Sequence, residues 1–212
     1  MTAPRPQAAR PLVARSLVAR SLVAIDGTDG SGKSHFALAL AGAIGAAGRP
    51  AVVLHVDDFR VTTPFELASA EDEAALYYDR YYDFGALAAA LAAFREGPAD
   101  GAVAVLEGVL VLRAQLPPET PLVVLEVSPA VARERILTRD RAKGRTPEEI
   151  ARRIERRYWP AQTRYRAAFD PIARADLLVD NDDWTAPRVL RRAAGRFSPP
   201  VAAGLDRLLP PS

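Results

Sequence analysis

The sequence predicts a three-layer α/β sandwich in which a parallel sheet is covered by helices on both faces. Three observations favour this fold: short apolar runs alternate with longer helical stretches, the runs are rich in valine and leucine, and a glycine-rich turn follows the first run. Short runs that are apolar on both faces are typical of buried parallel strands. Because parallel strands require crossover helices, ligands are expected at the carboxyl edge of the sheet.

The predicted strands are bounded by charged or turn residues. They cover residues 22–26, 51–57, 102–107, 122–127 and 177–180. The predicted helices lie between the strands and have helical spacing of their apolar residues. They cover residues 33–47, 84–95, 129–141 and 147–169. Ser128 and Thr146 are each followed by proline, which predicts a helix N-cap at both positions. The interior Pro160 predicts a break in the last helix.

Length and composition indicate one domain. A chain of 212 residues with 49% hydrophobic content can bury one full core. Residues 1–20, rich in arginine, proline and alanine, predict a flexible N-terminal extension. Residues 21–197 are predicted to form the domain, and the proline-rich residues 198–212 a loose C-terminal tail. No apolar run reaches the roughly 20 residues of a membrane span, and no signal-peptide core is present, so we expect a cytoplasmic protein without a membrane partner.

Composition also excludes several kinds of chemistry. The chain has no cysteine and only two histidines, which removes disulfides, thiolate metal sites and an ordinary zinc site. Its 28 basic residues nearly balance 26 acidic residues, so no nucleic-acid partner is expected. The remaining chemistry uses carboxylates, hydroxyls and cations. We expect a small-molecule substrate, and association into a homo-oligomer is left open.

One motif predicts nucleotide binding. Residues 27–34 read G-T-D-G-S-G-K-S, which matches G-x-x-x-x-G-K-[ST] between a predicted strand and a predicted helix. In such a P-loop the backbone N–H groups surround phosphate oxygens, Lys33 reaches the β and γ phosphates, and the Ser34 hydroxyl binds magnesium. The alternative, a glycine-rich turn without a ligand, is disfavoured by this context. We therefore predict ATP and Mg²⁺ as cofactors. The predicted nucleotide-binding residues are Gly27, Thr28, Asp29, Gly30, Ser31, Gly32, Lys33, Ser34 and His35.

Two carboxylates follow neighbouring strands of the predicted sheet. Asp57 comes at the end of the second strand, where it could accept the proton of a hydroxyl that attacks the γ-phosphate. Alternatively, Asp57 and Asp58 only cap the turn that follows. Glu107 ends the third strand and could bind magnesium through water, unless it is a simple strand-end acid.

A cationic cluster follows the fourth strand, and we call its segment, residues 133–145, the lid. Its members are Arg133, Arg135, Arg139, Arg141, Lys143 and Arg145. A movable segment with this charge could neutralise the transferring phosphoryl group and exclude water. Taken singly, each arginine could equally be ordinary surface charge.

Together these features resemble the uridine kinase and phosphoribulokinase family of P-loop kinases. The resemblance covers about residues 22–183 and includes Tyr158-Trp159-Pro160-Ala161 and the run A-D-L-L-V-D-N at 175–181. It implies the P-loop NTPase fold with an arginine-rich lid. It also implies transfer of the γ-phosphate of ATP to a hydroxyl of a small metabolite, which is the nucleoside 5′-hydroxyl in uridine kinases.

The resemblance also implies roles for individual residues. Asp57 would be the catalytic base, with Lys33, Arg139, Arg141 and Arg145 serving the phosphates. The implied magnesium residues are Ser34, Asp57 and Glu107. The predicted substrate-facing residues are Asp57, Phe59, Arg60, Tyr78, Asp79, Asp83 and Glu107, of which the resemblance leaves open whether Tyr78-Asp79 or Asp83 faces the substrate. The tyrosines of residues 77–82 could instead form the apolar face of a helix.

The sequence departs from uridine kinases in two places. Arg60 stands where they have a tyrosine, and the short stretch 95–102 leaves no room for their base-contacting hairpin. Because a guanidinium holds anionic groups by paired hydrogen bonds, a pantothenate-like or sugar-phosphate-like acceptor is an alternative to a nucleoside. A nucleotide-hydrolysing regulatory protein is a further alternative, although residues 181–183 lack the lysine of a guanine-binding Asn-Lys-x-Asp motif.

Overall fold

The computed structural model describes residues 19–62, 65, 69–98 and 100–209, so residues 1–18 of the predicted N-terminal extension lie outside it. Its sheet has six strands in the order β2-β3-β1-β4-β5-β6. They are β1 (Ser21–Gly27), β2 (Ala51–His55), β3 (Val103–Gly108), β4 (Leu122–Glu126), β5 (Leu177–Asp180) and β6 (Arg188–Arg192). Strands β1 to β5 are parallel and β6 is antiparallel to β5. The predicted parallel sheet is therefore confirmed, with one additional edge strand.

Helices cover both faces of this sheet, which confirms the three-layer prediction. They are α1 (Lys33–Ala46), α2 (Ala70–Arg80), α3 (Phe84–Arg95), α4 (Pro129–Arg141), α5 (Pro147–Arg153), α6 (Trp159–Phe169), α7 (Pro171–Arg174) and α8 (Pro199–Leu208). Successive residues of β1 alternate between two cores, as the period of a strand requires. Val23 and Ile25 join the core under α1 and α8, whereas Leu22 and Ala24 join the core under α2 to α6.

The helix starts follow the sequence signals. Ser128 Oγ accepts a hydrogen bond from Val131 N at 3.4 Å, and Thr146 Oγ1 accepts one from Glu149 N at 3.2 Å, so both predicted caps are confirmed. The break predicted near Pro160 takes another form. The π-helical turn Ile154–Tyr158 joins α5 to α6, and Pro160 lies in the first turn of α6. Because the wider turn lies just before the proline, the helical path continues through it.

The C-terminal region differs from its prediction. Residues 199–208 form α8, so the expectation of a loose tail is wrong for the part of that segment that the structure describes. Val201, Leu205 and Leu209 recur at helical spacing and are buried against α1. A Cβ at Gly204 would lie 3.0 Å from Leu40 Cδ1, so the glycine lets the two helices approach closely. No helix within the described ranges is long and apolar enough to cross a bilayer.

Candidate active site

The P-loop occupies the carboxyl edge of β1 and leads directly into α1. Gly30 and Gly32 have φ values of +80° and +86°, a region that glycine adopts without strain. A Cβ at Gly30 would lie 2.6 Å from Ala132 O, and one at Gly32 would lie 2.8 Å from Asn181 Nδ2. Both positions therefore require glycine, because the loop is wedged between α4 and the segment after β5.

The polar residues at the start of α1 form a compact group. Lys33 is buried, and its Nζ donates to Thr28 O at 2.9 Å, so the ammonium lies back over the P-loop. Ser34 Oγ donates to Glu107 Oε1 at 3.0 Å. His55 Nδ1 lies 2.5 Å from the same carboxylate oxygen. The β1–β3 and β2–β3 pairings create this group by bringing three strand ends to one edge of the sheet.

The Ser34 and Glu107 oxygens fit the requirements of a magnesium ion. Mg²⁺ prefers oxygen ligands and is commonly held by one or two protein groups, with substrate phosphates and water completing its shell. No group of three or more histidine, cysteine or carboxylate residues suited to a metal exists within the residues that the structure describes. Asp57 as a further magnesium residue stays a prediction.

Asp57 lies beyond the strand in which the sequence placed it. Strand β2 ends at His55, and Val56–Phe59 forms a 3₁₀ turn that carries the aspartate out from the sheet edge. Its side chain is 59% exposed, and its Oδ1 accepts a hydrogen bond from Tyr82 OH at 3.1 Å. Arg60 Nη1 lies 3.9 Å from Oδ2, while Arg60 Nε donates to the Asp57 carbonyl at 2.8 Å. The hydrogen bond therefore holds Oδ1 of Asp57, while the side chain remains accessible to solvent.

Asp29 of the P-loop faces the helices on the other side of the loop. Its Oδ2 accepts hydrogen bonds from Gln162 Nε2 at 2.8 Å and from Tyr77 OH at 3.3 Å. Arg139 Nη1 lies 3.6 Å from its Oδ1. Burial, followed by the Asp29 charge, raises the pKa of Tyr77 well above its usual range, so the hydroxyl keeps its proton and can donate. Asp29 therefore ties the P-loop to α2, α4 and α6.

Two of the predicted phosphate-binding arginines meet at one buried carboxylate. Arg139 Nε donates to Asp140 Oδ1 at 2.7 Å, and Arg145 Nη1 lies 3.5 Å from Asp140 Oδ2. Burial lowers the pKa of Arg139, but the charges of Asp29 and Asp140 outweigh that effect and raise it, so the guanidinium stays charged. Arg141 is exposed at the end of α4. Closure of the lid over bound phosphates stays a prediction.

The structure gives several predicted substrate residues other partners. The buried Tyr78 ring has the guanidinium carbons of Arg113 and Arg164 at 4.3 Å and 4.1 Å from its centre. Asp79 Oδ2 pairs with Arg164 Nη1 at 2.8 Å. Asp83 caps α3 by accepting from Ala86 N at 2.8 Å, and Phe59 packs against the core. Packing and capping account for these side chains, and their contact with a substrate stays a prediction.

A cleft of about 640 Å³ opens beside the P-loop, on the side of α1 away from Asp57. Its lining includes His35, Phe36, Arg135, Asn181 and Trp184. Trp184 is 60% exposed, and its ring meets the His35 ring edge-on at 5.4 Å. Flat apolar surface next to the phosphate loop is suited to a nucleobase.

Arg135 and Asn181 join the lining of this cleft to the P-loop by hydrogen bonds. Arg135 Nη1 donates to Gly30 O at 3.3 Å, and its Nη2 donates to Asn181 O at 2.9 Å. Asn181 Nδ2 donates to Ser31 O at 2.7 Å. The sequence interpretation did not assign Asn181 or Trp184 to the site. The available signals were the tryptophan shortly after the last parallel strand and the run at 175–181 that ends in Asn181.

Comparison with known proteins bears on the fold. No protein-family model matches this chain, and no curated protein matches it. A candidate fructose transport system kinase from Silicibacter sp. TM1040 is 22% identical, with a TM-score of 0.55 over 75% of this chain and 88% of its own. A possible uridine kinase from Bacillus stearothermophilus is 22% identical, with a TM-score of 0.54 over 79% of this chain and 92% of its own. The likeness to these two structures shows the fold, a mostly parallel six-stranded sheet covered by helices. In this fold the P-loop and the Asp57 turn share the carboxyl edge of the sheet.

Proposed function

We propose that the protein is an ATP-dependent kinase that transfers the γ-phosphate to a hydroxyl group of a small metabolite. The observation that carries this proposal is the accessible Asp57 carboxylate, anchored through one oxygen, at the sheet edge that also holds Lys33 and the Ser34–Glu107 pair. A base beside a phosphate loop is the arrangement that transfer to an alcohol requires.

The nucleotide would bind along the P-loop. Backbone N–H groups at the start of α1 would surround the phosphates, Lys33 would turn from the Thr28 carbonyl to the β and γ phosphates, and the base would enter the Trp184 cleft. Ser34 and Glu107 would hold the magnesium ion. When bound, that ion supplies positive charge that offsets the charge of the phosphate oxygens.

In the transfer step the acceptor oxygen forms a bond to the γ-phosphorus while the bond from that phosphorus to the β,γ-bridging oxygen breaks. Asp57 takes the proton of the acceptor hydroxyl, and ADP leaves with the bridging oxygen. Arg139 and Arg145, which already converge near the P-loop through Asp140, would offset charge on the transferred group. Arg141, exposed at the end of the same helix, would require movement of the lid to join them.

Two acceptor classes are proposed. A nucleoside 5′-hydroxyl is the first, supported by the resemblance to uridine kinases. An anionic acceptor such as a sugar phosphate or pantothenate is the second, favoured by the Arg60 guanidinium 3.9 Å from Asp57 Oδ2. The α3–β3 connection favours the second class as well, because residues 96–102 are too few to form a base-contacting hairpin.

The test is ADP release with ATP and Mg²⁺ across a panel of nucleosides, pantothenate, glycerate and sugar phosphates. Acceptor-dependent release is expected, and removal of the base in Asp57→Asn should lower kcat about 10²- to 10⁴-fold. Lys33→Ala should also lower kcat at least ~10²-fold through lost charge stabilisation. Asp58→Asn is the matched control, since it changes an exposed carboxylate of the same turn. Release that needs no acceptor and ignores Asp57 would indicate a nucleotide-hydrolysing regulatory protein instead.

A further inference from the structure

Two buried tyrosine hydroxyls connect Asp29 of the P-loop with Asp57 of the turn after β2. Tyr82 OH lies 3.1 Å from Asp57 Oδ1 and 3.3 Å from Tyr77 OH. Tyr77 OH lies in turn 3.3 Å from Asp29 Oδ2. Burial, followed by the nearby carboxylates, raises the pKa values of both tyrosines well above their usual range, so both hydroxyls keep their protons. The four groups form a continuous polar chain inside an aromatic cluster.

The series of four polar groups has fewer hydroxyl protons than oxygen–oxygen contacts. Two hydroxyl protons serve three oxygen–oxygen contacts, and an ionised carboxylate at each end can only accept. Asp29 has two further partners, because Gln162 Nε2 donates to it at 2.8 Å and Arg139 lies 3.6 Å away. The arrangement in which each carboxylate accepts a proton has Tyr77 donating to Asp29 and Tyr82 donating to Asp57. The Tyr82 proton is then committed to Asp57, and Tyr77 contacts Tyr82 without donating to it.

The position of the Tyr82 hydroxyl is fixed by packing and by backbone bonds. Its ring meets the rings of Tyr77 and Phe84 with centres 5.8 Å and 5.9 Å apart. The backbone of residues 59–61 pairs with residues 81–83, through Asp83 N to Phe59 O at 2.8 Å and Val61 N to Tyr81 O at 3.0 Å. The segment that carries Asp57 and the segment that carries Tyr82 are therefore joined beside the carboxylate.

We propose that Tyr82 is a positioning residue that orients the Asp57 carboxylate. The Tyr77 ring packs against the Tyr82 ring and helps to hold it in place. By holding Oδ1, the hydroxyl limits rotation of the carboxylate and directs Oδ2 toward the open side, where an acceptor hydroxyl would arrive. The inference rests on the proposed role of Asp57 as base. Nothing in the P-loop motif or the strand ends of the sequence assigns this task to a tyrosine.

The test compares steady-state kinetics of Tyr82→Phe in the unaltered protein and in the Asp57→Asn background. With the orienting bond lost and the ring retained, kcat should fall about 10-fold or more while KM for ATP stays within about 2-fold. In the Asp57→Asn background the same change should lower kcat less than about 2-fold, because no base remains to be oriented. Tyr77→Phe should show a smaller loss of kcat than Tyr82→Phe.

Tyr158→Phe is the matched control. It removes a hydroxyl from the same aromatic cluster, where the Tyr158 and Tyr77 rings are 5.4 Å apart, but that hydroxyl interacts with Arg153. An equal fall in kcat for Tyr158→Phe, or an equal fall with and without Asp57, would overturn the inference and indicate a structural role. If kcat depends on Asp57 but Tyr82→Phe leaves it unchanged, only this inference fails. Activity that is indifferent to Asp57 overturns the proposed function as well.

Discussion

The two sides of the candidate site are built in different ways. The nucleotide side is formed mainly by consecutive backbone, since residues 27–34 supply the loop and the start of α1. The side proposed to bind the acceptor, here called the acceptor side, is formed by side chains from α2, α4, α6 and the Asp57 turn, which are far apart in sequence; the α2, α4 and α6 side chains contact Asp29. A loop built from backbone can keep its chemistry when its neighbours change. The acceptor side depends on each partner of its side-chain pairs. Substitutions on the two sides should therefore differ in their effects on stability and activity.

The largest expected effect is on the acceptor side, at the buried Glu73. Its carboxylate pairs with Arg157 at 3.1 Å and Arg152 at 2.6 Å, and the Glu73 and Arg157 side chains are 1% and 4% exposed. The Arg157 guanidinium also lies 3.4 Å from the centre of the Phe65 ring. Glu73→Ala would leave a buried guanidinium without its counter-charge, so the free energy of unfolding should fall by about 3–5 kcal/mol. Urea unfolding followed by circular dichroism measures this change.

Glu119→Ala provides the comparison for that measurement. Glu119 pairs with Arg95 at 2.6 Å on the surface, where its side chain is 65% exposed. An exposed pair contributes at most about 1 kcal/mol, so this variant should stay close to the unaltered protein. Similar small losses for both variants would mean that the acceptor side does not depend on its buried ion pair, and the contrast between the two sides would disappear.

Asp26 is a buried acid next to the P-loop, and its protonation sharpens the comparison. Asp26 is the penultimate residue of β1, directly before the P-loop, and it accepts hydrogen bonds from Gly27 N at 2.7 Å and from Tyr165 OH. Burial raises its pKa from 3.8 to about 6, although the Tyr165 hydrogen bond opposes this effect. The folded state thus binds the proton more tightly than the unfolded state. Stability from this group is complete below about pH 4 and is lost as the pH rises through about 6.

Asp26→Asn should remove this pH dependence. Between pH 4 and pH 7, the unfolding free energy of the unaltered protein should fall relative to the variant by up to about 3 kcal/mol. Urea unfolding of both proteins at several pH values gives the difference directly. A difference that does not change with pH would show that the Asp26 carboxyl is not stabilised in its protonated form. The loop geometry would then rest on backbone packing alone.

The sequence predicted the position of the P-loop between β1 and α1 because that information is local. Eight consecutive residues define the P-loop, and strand ends suffice to bring Asp57 and Glu107 to the same edge of the sheet. The bonds of Tyr82 and Asn181 could not be predicted, since each joins segments whose approach depends on the complete fold. Which of residues 77–83 turn inward was undecidable for the same reason.

Strand β6 and helix α8 were missed for reasons of pattern. Strand β6 has three arginines among its five residues, so its sequence lacks the apolar run by which the other strands were predicted. An edge strand can be this polar because it needs apolar contacts on one face only. Helix α8 was hidden by its prolines, which suggested a loose tail. Pro199 and Pro200 instead occupy its first turn, where a missing N–H costs nothing. The apolar spacing of Val201 and Leu205 was the better signal.

The smallest expected effect concerns the cleft beside the P-loop. Trp184 is 60% exposed there, close to His35 and Arg135, and a base stacked on it would gain about 1 kcal/mol. Trp184→Ala should therefore raise KM for ATP about 5- to 10-fold. Because the contact is equal in the ground state and the transition state, kcat should stay nearly constant. Initial rates at varied ATP and saturating acceptor measure both constants.

Leu190→Ala is the control for that variant, since it removes a large side chain that is 56% exposed on β6 and does not line the cleft. Its KM for ATP should match that of the unaltered protein. An unchanged KM for ATP in Trp184→Ala would mean that the base lies elsewhere. A raised KM for the acceptor as well would mean that the cleft and the Asp57 side are coupled. If only KM for ATP rises, the exposed cleft serves the nucleotide alone, and the acceptor side can be altered without losing ATP binding.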